Sequence, residues 1–373
     1  MRGPTSRAEL TASLGLNRST IGALTADLAG VGLVTEELPR DHSRAGRPSL
    51  VVRPEPERFY AYAFSVEVDR ITAARVGLGG IVLDRREIAR PRGERPAAKV
   101  VAPLAQFVRD TEARVPAGAS CVGAGAAVTG NVRHDNGEVR LAAPVGWIDE
   151  ALGAALSEAL GDEPSFAVRN AADLAALAEH TRGVAVGCDN VVYLHSDAGI
   201  SGGIIAGGRS LTGHGGYGGE LGHMVVNPKG RACACGSRGC WETEIGERAL
   251  IHGAGREGTG QAAVAAVIDA AARGDAMAQA ALRSVADWLG FGVANLVNIF
   301  NPELIIFGGT LRDVYLTSAA QIRGRLITMA LPAYRDHVRL RTPELGEKAT
   351  LLGAAELAFE RLLADPLEVA VPG

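Results

Sequence analysis

Residues 213–244 read GHGGYGGELGHMVVNPKGRACACGSRGCWETE, and this stretch decides how the rest of the chain is interpreted. It contains His223, followed by Cys233, Cys235 and Cys240. One imidazole and three thiolates can complete a tetrahedral zinc site of the structural type, which has no open coordination position. Reduced thiols that merely cluster are the alternative, and a redox pair is disfavoured because C-x-C is not the usual C-x-x-C spacing. We therefore expect one structural zinc ion, Zn²⁺.

Polar side chains flank the cysteines in the same stretch. Glu220, His223 and Glu242 lie beside a glycine-rich loop. Carboxylates and imidazole suit the vicinal hydroxyls of a sugar, because a sugar presents paired hydrogen-bond donors and acceptors. A glutamate on a solvated loop is the alternative interpretation. The pattern favours a sugar site next to the metal site.

The composition limits the class of protein. The chain has 373 residues, which predicts about two or three domains. Its formal net charge of −4 gives no general attraction to nucleic acid or to a membrane, so DNA affinity must come from a local patch. No signal peptide is evident, and no stretch approaches about 18 apolar residues. We expect a cytoplasmic protein with no membrane partner, whose five cysteines stay reduced or bind metal.

The first 53 residues have the pattern of a winged helix-turn-helix DNA-binding domain. Residues 6–38 read as two short helices and a strand, 39–49 as a basic loop, and 50–52 as a return strand. Ser6 and Glu9 match a capping box at the start of the first helix, and Ser19 is the expected N-cap of the second. A helical pair used for protein contact is the alternative interpretation. The expected DNA contacts are Arg18, Ser19 and Thr20 at the start of the second helix, and Arg44 and Arg47 in the basic loop.

Strand and helix patterns alternate from residue 59 onward, which predicts an α/β fold. Helices are expected at 96–114 and 149–160, and long helices across 260–300. The segment 53–58, which contains two prolines and charged residues, is expected to be a linker.

Five segments resemble signatures of the ROK family, which contains bacterial repressors, open reading frames and sugar kinases. The similar segments are 121–147, 168–180, 213–244, 294–309 and Leu352-Gly353-Ala354-Ala355. The resemblance implies a two-lobed, actin-like sugar-kinase fold, in the branch of transcriptional regulators similar to xylose- and N-acetylglucosamine-type repressors. It places the first lobe at 59–180, with a helix at 350–365 packing back onto it, and the second lobe at 181–349, which contains the zinc-binding loop 213–244. It also implies that the sugar contacts Asn170, Glu220, His223 and Glu242. One ring nitrogen of His223 would ligate zinc and leave the other for the sugar.

Several positions depart from the pattern of the ROK kinases. The Asp that takes the proton from the sugar hydroxyl is replaced by Ala171, and a methyl group cannot act as a general base. In the stretch that matches the kinase phosphate loop, a glycine and a hydroxyl residue are replaced by Asp69 and Ile71, whose charge and bulk oppose phosphate binding. Asp173 lies near Ala171 but is expected to point elsewhere. We therefore expect no enzyme activity.

The resemblance implies a sugar-responsive regulator, a repressor that binds operator DNA as a homodimer or a dimer of dimers. The alternatives are an active sugar kinase with an accessory domain and a degenerate member that binds neither DNA nor sugar tightly. The family's first helix should precede Gly3-Pro4 and is absent. We expect either an upstream start that supplies about 10–25 further residues of helical periodicity or an unusually small DNA-binding module.

Overall fold

Two helices and a three-stranded antiparallel sheet form the N-terminal unit in the computed structural model, which describes residues 3–39, 49–90, 92–93, 96–161 and 166–370. The strand order of this sheet is β1-β3-β2, with β3 in the centre. The elements are β1 (Thr5–Ser6), α1 (Arg7–Leu14), α2 (Arg18–Gly30), β2 (Val34–Glu37) and β3 (Val51–Pro54).

Side chains cap both helices of the N-terminal unit. Ser6 and Glu9 form a capping box at the start of α1. The cap of α2 is Asn17, whose side-chain oxygen accepts a hydrogen bond from the Thr20 amide at 2.8 Å. The prediction that Ser19 caps this helix is wrong, because the helix already includes Ser19 and its hydroxyl donates to Asn17 Oδ1 at 2.7 Å. An N-cap needs the extended backbone that Asn17 has.

The first lobe is built on a five-stranded mixed sheet of order β11-β7-β4-β5-β6. A small antiparallel sheet, β10-β9-β8, extends from one end of it. The predicted helices at 96–114 and 149–160 correspond to α3 and α4. The elements are β4 (Phe59–Val66), β5 (Arg70–Gly77), β6 (Ile81–Ala89), α3 (Ala98–Glu112), β7 (Ser120–Val128), β8 (Asn131–Val132), β9 (Val139–Ala142), β10 (Trp147–Glu150), α4 (Leu152–Leu160), β11 (Phe166–Asn170) and α5 (Ala171–Arg182).

The second lobe repeats this plan with the sheet order β14-β13-β12-β15-β16. The final two helices of the chain follow this lobe. The elements are β12 (Val191–Ser196), β13 (Ile200–Ala206), β14 (Arg209–Ser210), α6 (Trp241–Ile245), α7 (Glu247–Gly253), α8 (Gly260–Ala272), α9 (Ala276–Phe300), β15 (Leu304–Gly309), α10 (Thr310–Met329), α11 (Pro332–Arg335), β16 (Arg339–Arg341), α12 (Ala349–Ala364) and α13 (Pro366–Ala370).

The two five-stranded sheets share one topology. In each, an antiparallel hairpin supplies the central strand and its neighbour, and two parallel strands follow on the other side. Parallel strands place their carboxyl ends at one edge, and in open α/β sheets ligands bind outside that edge. The turn between β4 and β5 and the turn between β12 and β13 are therefore equivalent positions in the two lobes.

Helices cover both faces of the first-lobe sheet. Helices α3 and α4 share a hydrophobic cluster with one face, while α5 and α12 share another cluster with the opposite face. Helices α5 and α12 are in backbone contact, since a Cβ atom added to Gly353 would lie 1.9 Å from the Leu174 carbonyl oxygen. This close approach is the physical reason for the glycine in the Leu352-Gly353 segment. No helix in the described ranges is both long enough and apolar enough to span a membrane.

The segment predicted to be a linker lies against the first lobe. Its first two residues, 53 and 54, belong to β3. The Glu55 amide donates to the Leu33 carbonyl at 2.9 Å. A Cβ atom added to Gly77 would lie 1.9 Å from the carbonyl oxygen of Pro56. The two prolines of the segment thus follow the surface of the sheet instead of spanning solvent.

Candidate functional site

A cavity of about 630 Å³ lies between the two lobes. Its walls include the residues that follow β7, the last residue of β11 and the turn after β12, which are all carboxyl ends of strands. The cysteine-rich loop of the second lobe forms another wall. A cleft of this kind and size is where small polar ligands bind in α/β proteins.

Four side chains that could hold a metal ion meet at the edge of the cavity. The ligand atoms of His223, Cys233, Cys235 and Cys240 all lie within 4.8 Å of one another. The His223 Nδ1 to Cys233 Sγ distance is 3.7 Å, and the two sulfur atoms of Cys235 and Cys240 are 3.6 Å apart. Tetrahedral zinc with bonds of ~2.3 Å to sulfur and ~2.0–2.1 Å to nitrogen separates its ligands by about 3.5–3.8 Å. The donor set and its spacing therefore fit a structural zinc ion.

Tight turns and a buried anchor hold this loop. Gly239 has a φ of 72°, and a Cβ atom added there would lie 1.6 Å from the Asn227 carbonyl oxygen. Trp241 is fully buried, and its indole nitrogen donates to the Trp288 carbonyl at 2.8 Å. Cys240 is therefore fixed between a turn that requires glycine and an indole in the core.

The thiols of this cluster have different environments. Burial raises the pKa of the Cys233 thiol and of the Cys240 thiol. A backbone hydrogen bond from Ser237 lowers the pKa of the Cys235 thiol, which is exposed. A bound divalent cation favours the thiolate form of all its cysteine ligands.

Glu220, His223 and Glu242 surround one end of the cavity. The Glu220 carboxylate lies 3.8 Å from His223 Nε2, and the Glu242 carboxylate lies 3.7 Å from His223 Nδ1. The Cys233 thiol donates to Glu242 Oε1 at 2.8 Å. Burial raises the pKa of Glu220, the contact with His223 lowers it, and the Glu242 charge raises it. The imidazole thus presents Nδ1 to the cysteines and Nε2 to the cavity side.

Asn170 lies in the same cavity wall and holds several structures together. Its Oδ1 accepts from the Ala172 amide at 2.7 Å and caps α5. Its Nδ2 donates to the Gly130 carbonyl at 2.8 Å and to the Ser201 hydroxyl at 3.1 Å. Because Ser201 belongs to β13, this amide connects the two lobes. The family resemblance predicts that Asn170 contacts a sugar, but sequence reasoning missed this bridge, since its partners are 31 and 40 residues away.

Asp173 lies one turn further along α5 and does not line the cavity. Its side chain is buried, and Oδ2 has no hydrogen-bond partner among the described residues. Burial raises the pKa of Asp173 to about 7, the charge of Glu220 adds to the rise, and Arg169 opposes it. Ala171, which does line the cavity, carries no group that could accept a proton.

The turn between β4 and β5 is occupied by charges of the protein itself. The Val68 amide donates to Asp197 Oδ2 of the second lobe at 3.4 Å. Asp69 is half-exposed and lies 3.5 Å from the Arg92 guanidinium. The expectation that Ile71 obstructs the cleft is wrong, because its side chain is 3% exposed within the first-lobe core. Ile71 removes a hydroxyl from the turn without adding bulk to the cleft.

Sequence reasoning missed Arg92 entirely. Its guanidinium lines the cavity and contacts carboxylates of the second lobe, Glu247 at 2.8 Å and Asp197 at 3.8 Å. Glu247 also accepts from the Gly260 amide at 2.7 Å. No motif marks this arginine, since its partners in the second lobe lie more than a hundred residues away and only the folded lobes bring them together.

The predicted DNA contacts lie far from this cavity in the chain. Arg18 and Ser19 are exposed at the start of α2, and Thr20 is half-buried. Arg44 and Arg47 lie outside the described residues.

Comparisons with known proteins place this geometry in a family. The model of the ROK family matches residues 62–361. The xylose repressor of Bacillus spizizenii is 27% identical, over 96% of this chain and 92% of its own length. The glucokinase of Streptomyces coelicolor is 31% identical, over 78% of this chain and 95% of its own length.

A solved structure extends the comparison to the whole fold. It is the crystal structure of a ROK family transcriptional regulator described as a homologue of the E. coli MLC protein, with a TM-score of 0.77 and 26% sequence identity. The match covers 98% of this chain and 94% of that chain. The family match extends over far more than half of the residues, and the paired lobes agree with it. This chain therefore belongs to the ROK family.

Proposed function

We propose that this protein is a sugar-responsive transcriptional repressor. The observation that carries the proposal is the extent of the similarity. The xylose repressor and the ROK regulator structure match 96% and 98% of the chain, whereas the Streptomyces glucokinase matches 78%. The N-terminal unit is thus shared with the regulators, whereas the similarity to the kinase is limited to the rest of the chain.

The N-terminal unit would read DNA as a winged helix. Two helices joined by a short turn precede a sheet whose connection between β2 and β3 carries the basic residues Arg44 and Arg47. Helix α2 would enter the major groove, with Arg18, Ser19 and Thr20 toward the DNA. Arg44 and Arg47 would suit a narrow minor groove.

The cleft would bind the sugar effector. Glu220 and Glu242 supply hydrogen-bond acceptors for hydroxyl groups, Asn170 supplies an amide, and His223 offers Nε2. Zinc held by His223 and the three cysteines would fix this wall of the cleft, because a metal-ligating imidazole has a set orientation.

The protein is proposed not to be an enzyme. Ala171 offers no general base, and the amide of Val68 that could bind phosphate already donates to Asp197. The glucokinase similarity keeps a sugar kinase as the competing function. Phosphorylation of a hexose by ATP in a coupled assay would decide for the kinase.

The assembly and location of the protein follow from the same proposal. A homodimer or dimer of dimers would present two N-terminal units to a palindromic operator, with half-sites spaced by the protomer geometry. The protein would act in the cytoplasm, where its DNA lies. A sugar that prefers one arrangement of the lobes shifts operator affinity by its differential affinity, and a coupling of about 1–3 kcal/mol corresponds to about 5–150-fold.

A mobility-shift assay tests the proposal. The probe is DNA from upstream of the protein's own coding sequence, titrated with and without D-xylose, D-glucose or N-acetyl-D-glucosamine. We expect binding that one sugar changes about 5–150-fold. Glu242→Ala should bind DNA normally and lose the sugar response, whereas the control Glu257→Ala, at an exposed position outside the cavity wall, should retain both. Absence of specific DNA binding by the unmodified protein would contradict the proposal.

A further inference from the structure

One hydrophobic cluster joins the N-terminal unit to the first lobe. Leu33 and Val34, which follow α2, are 4% and 8% exposed. They belong to the same buried cluster as Leu174 of α5 and Phe359 of α12. The residues Leu28 and Val31 at the end of α2 pack against this cluster, as does Val52 of β3. The N-terminal unit therefore has no separate core in this region, because its apolar face packs directly on the first lobe.

Backbone contacts close the junction on its other side. A Cβ atom added to Gly32 would lie 2.3 Å from the Arg58 side chain, and one added to Gly77 would lie 1.9 Å from the Pro56 carbonyl oxygen. The Glu55 amide is hydrogen-bonded to the Leu33 carbonyl. Residues 55–58 are thus held from both sides. A hinge needs backbone that can change φ and ψ without losing packing or hydrogen bonds, and this segment does not provide it.

Helices α5 and α12 continue the same rigid body to the cleft. Their backbones touch at Gly353 and Leu174, and Arg182 of α5 forms a buried ion pair with Glu356 of α12. Helix α5 begins directly after Asn170, whose amide hydrogen-bonds Ser201 of the second lobe. Packed side chains therefore connect the end of α2, without a gap, to the contact between the two lobes at the cavity.

We propose that the N-terminal unit, α5, α12 and the first-lobe sheet move as one rigid body. A ligand in the cleft then reorients α2 only by turning the whole first lobe against the second, and residues 55–58 do not act as a hinge. This mechanism rests on the proposed function for its ligand and its DNA, but the rigid body itself does not.

Hydrogen exchange of the free protein tests the rigid body. Leu33→Ala leaves a cavity in the shared cluster, so amide exchange should accelerate in α2 and in α12 together, by at least about tenfold. Helix α9 packs in the separate core of the second lobe and should be unchanged. Leu38→Ala, at a position 63% exposed, is the matched control and should alter none of them. Acceleration confined to the N-terminal unit, with α12 unaffected, would overturn the proposal.

An insertion tests the route of the signal. A flexible Gly-Ser-Gly-Ser-Gly segment placed between Glu57 and Arg58 should leave sugar binding intact and remove the sugar-dependent change in DNA affinity. Titration calorimetry with D-xylose or D-glucose, and with the upstream DNA fragment, measures the affinity for sugar and the affinity for DNA. A sugar response that survives the insertion would show that the signal reaches α2 without the packed segment 55–58, and would refute the role of this segment in the rigid body. If the unmodified protein binds neither sugar nor DNA, the proposed function fails, while the exchange experiment still decides whether the body is rigid.

Discussion

Replacing Cys235 by serine isolates the contribution of the metal. Cys235 is the exposed member of the cluster, so a serine hydroxyl there is solvated and carries little cost of its own. Its sulfur is 3.6 Å from that of Cys240 and within 4.8 Å of the other ligand atoms. The variant retains every packing contact of the buried thiols and loses one of four zinc ligands. Its effect on stability therefore reports metal binding.

The size of the effect follows from mass action. A ligand present at about a thousand times its Kd stabilises the folded state by about 4.1 kcal/mol. For a folding unit of about 150–250 residues, each kcal/mol shifts Tm by about 2–4 °C. Loss of zinc should therefore lower the Tm of the second lobe by about 8–16 °C. Emission of the buried Trp241 should shift to longer wavelength at the same temperature, because the loop that it anchors opens.

Calorimetry and elemental analysis measure the outcome. We expect one zinc per unmodified chain, a large chelator-induced fall in Tm, and a Cys235→Ser variant that contains little zinc and does not respond to chelator. Cys121→Ser is the control, because this half-buried thiol lies outside the cluster, and it should retain zinc. Protein purified without chelator that holds no stoichiometric zinc, or that melts at one temperature with and without chelator, would refute the reasoning.

Three further changes test other parts of the molecule. Ala171→Asp should give no hexose phosphorylation in a coupled ATP assay, because the Val68 amide still binds a carboxylate; turnover would contradict this. Asp173 has its folded pKa raised to about 7, so its contribution to stability is present in acid and is lost as the pH rises from about 4 through 7. At pH 8 the free energy of unfolding of Asp173→Asn, measured with urea, should therefore exceed that of the unmodified protein by up to about 4 kcal/mol, and at pH 5 the difference should be much smaller. Asp135→Asn, at a side chain 73% exposed, is the control and should change neither value. Arg18→Ala should reduce the slope of log affinity against log salt for DNA by about 1, and an unchanged slope would exclude a phosphate contact there.

Local sequence patterns identified the features that depend on short spacing. His223 and the three cysteines lie within 18 residues, and the structure brings their ligand atoms together at the cavity edge. The alternation of strands and helices predicted an α/β fold, because side-chain periodicity is a property of each element alone, whereas the division into two lobes came from the family resemblance. The capping box of Ser6 and Glu9 likewise needs only residues three apart.

Features that depend on contacts between distant segments could not be predicted in this way. Arg92 meets Glu247 across 155 residues, and nothing near either position in the sequence indicates the pair. Ile71 was expected in the cleft because a family motif gives a position and not a side-chain direction. The segment 53–58 read as a linker since its prolines and charges are typical of one, whereas the Pro56 carbonyl packs on Gly77. Composition alone cannot distinguish a flexible linker from an extended segment that packs on a sheet.

The close approach of Pro56 to Gly77 has a consequence for recombination between relatives. A crossover near residue 58 would join the N-terminal unit of this chain to the sheet of a relative, and that relative could carry alanine or a larger residue at position 77. Any such side chain would collide with residues 55–58, because a Cβ atom at position 77 would lie only 1.9 Å from the Pro56 carbonyl oxygen. Functional chimeras should therefore inherit Gly77 together with the first 58 residues, and exchange points should fall after β5. The segment that must be inherited together is thus longer than the N-terminal unit that is proposed to contact the operator.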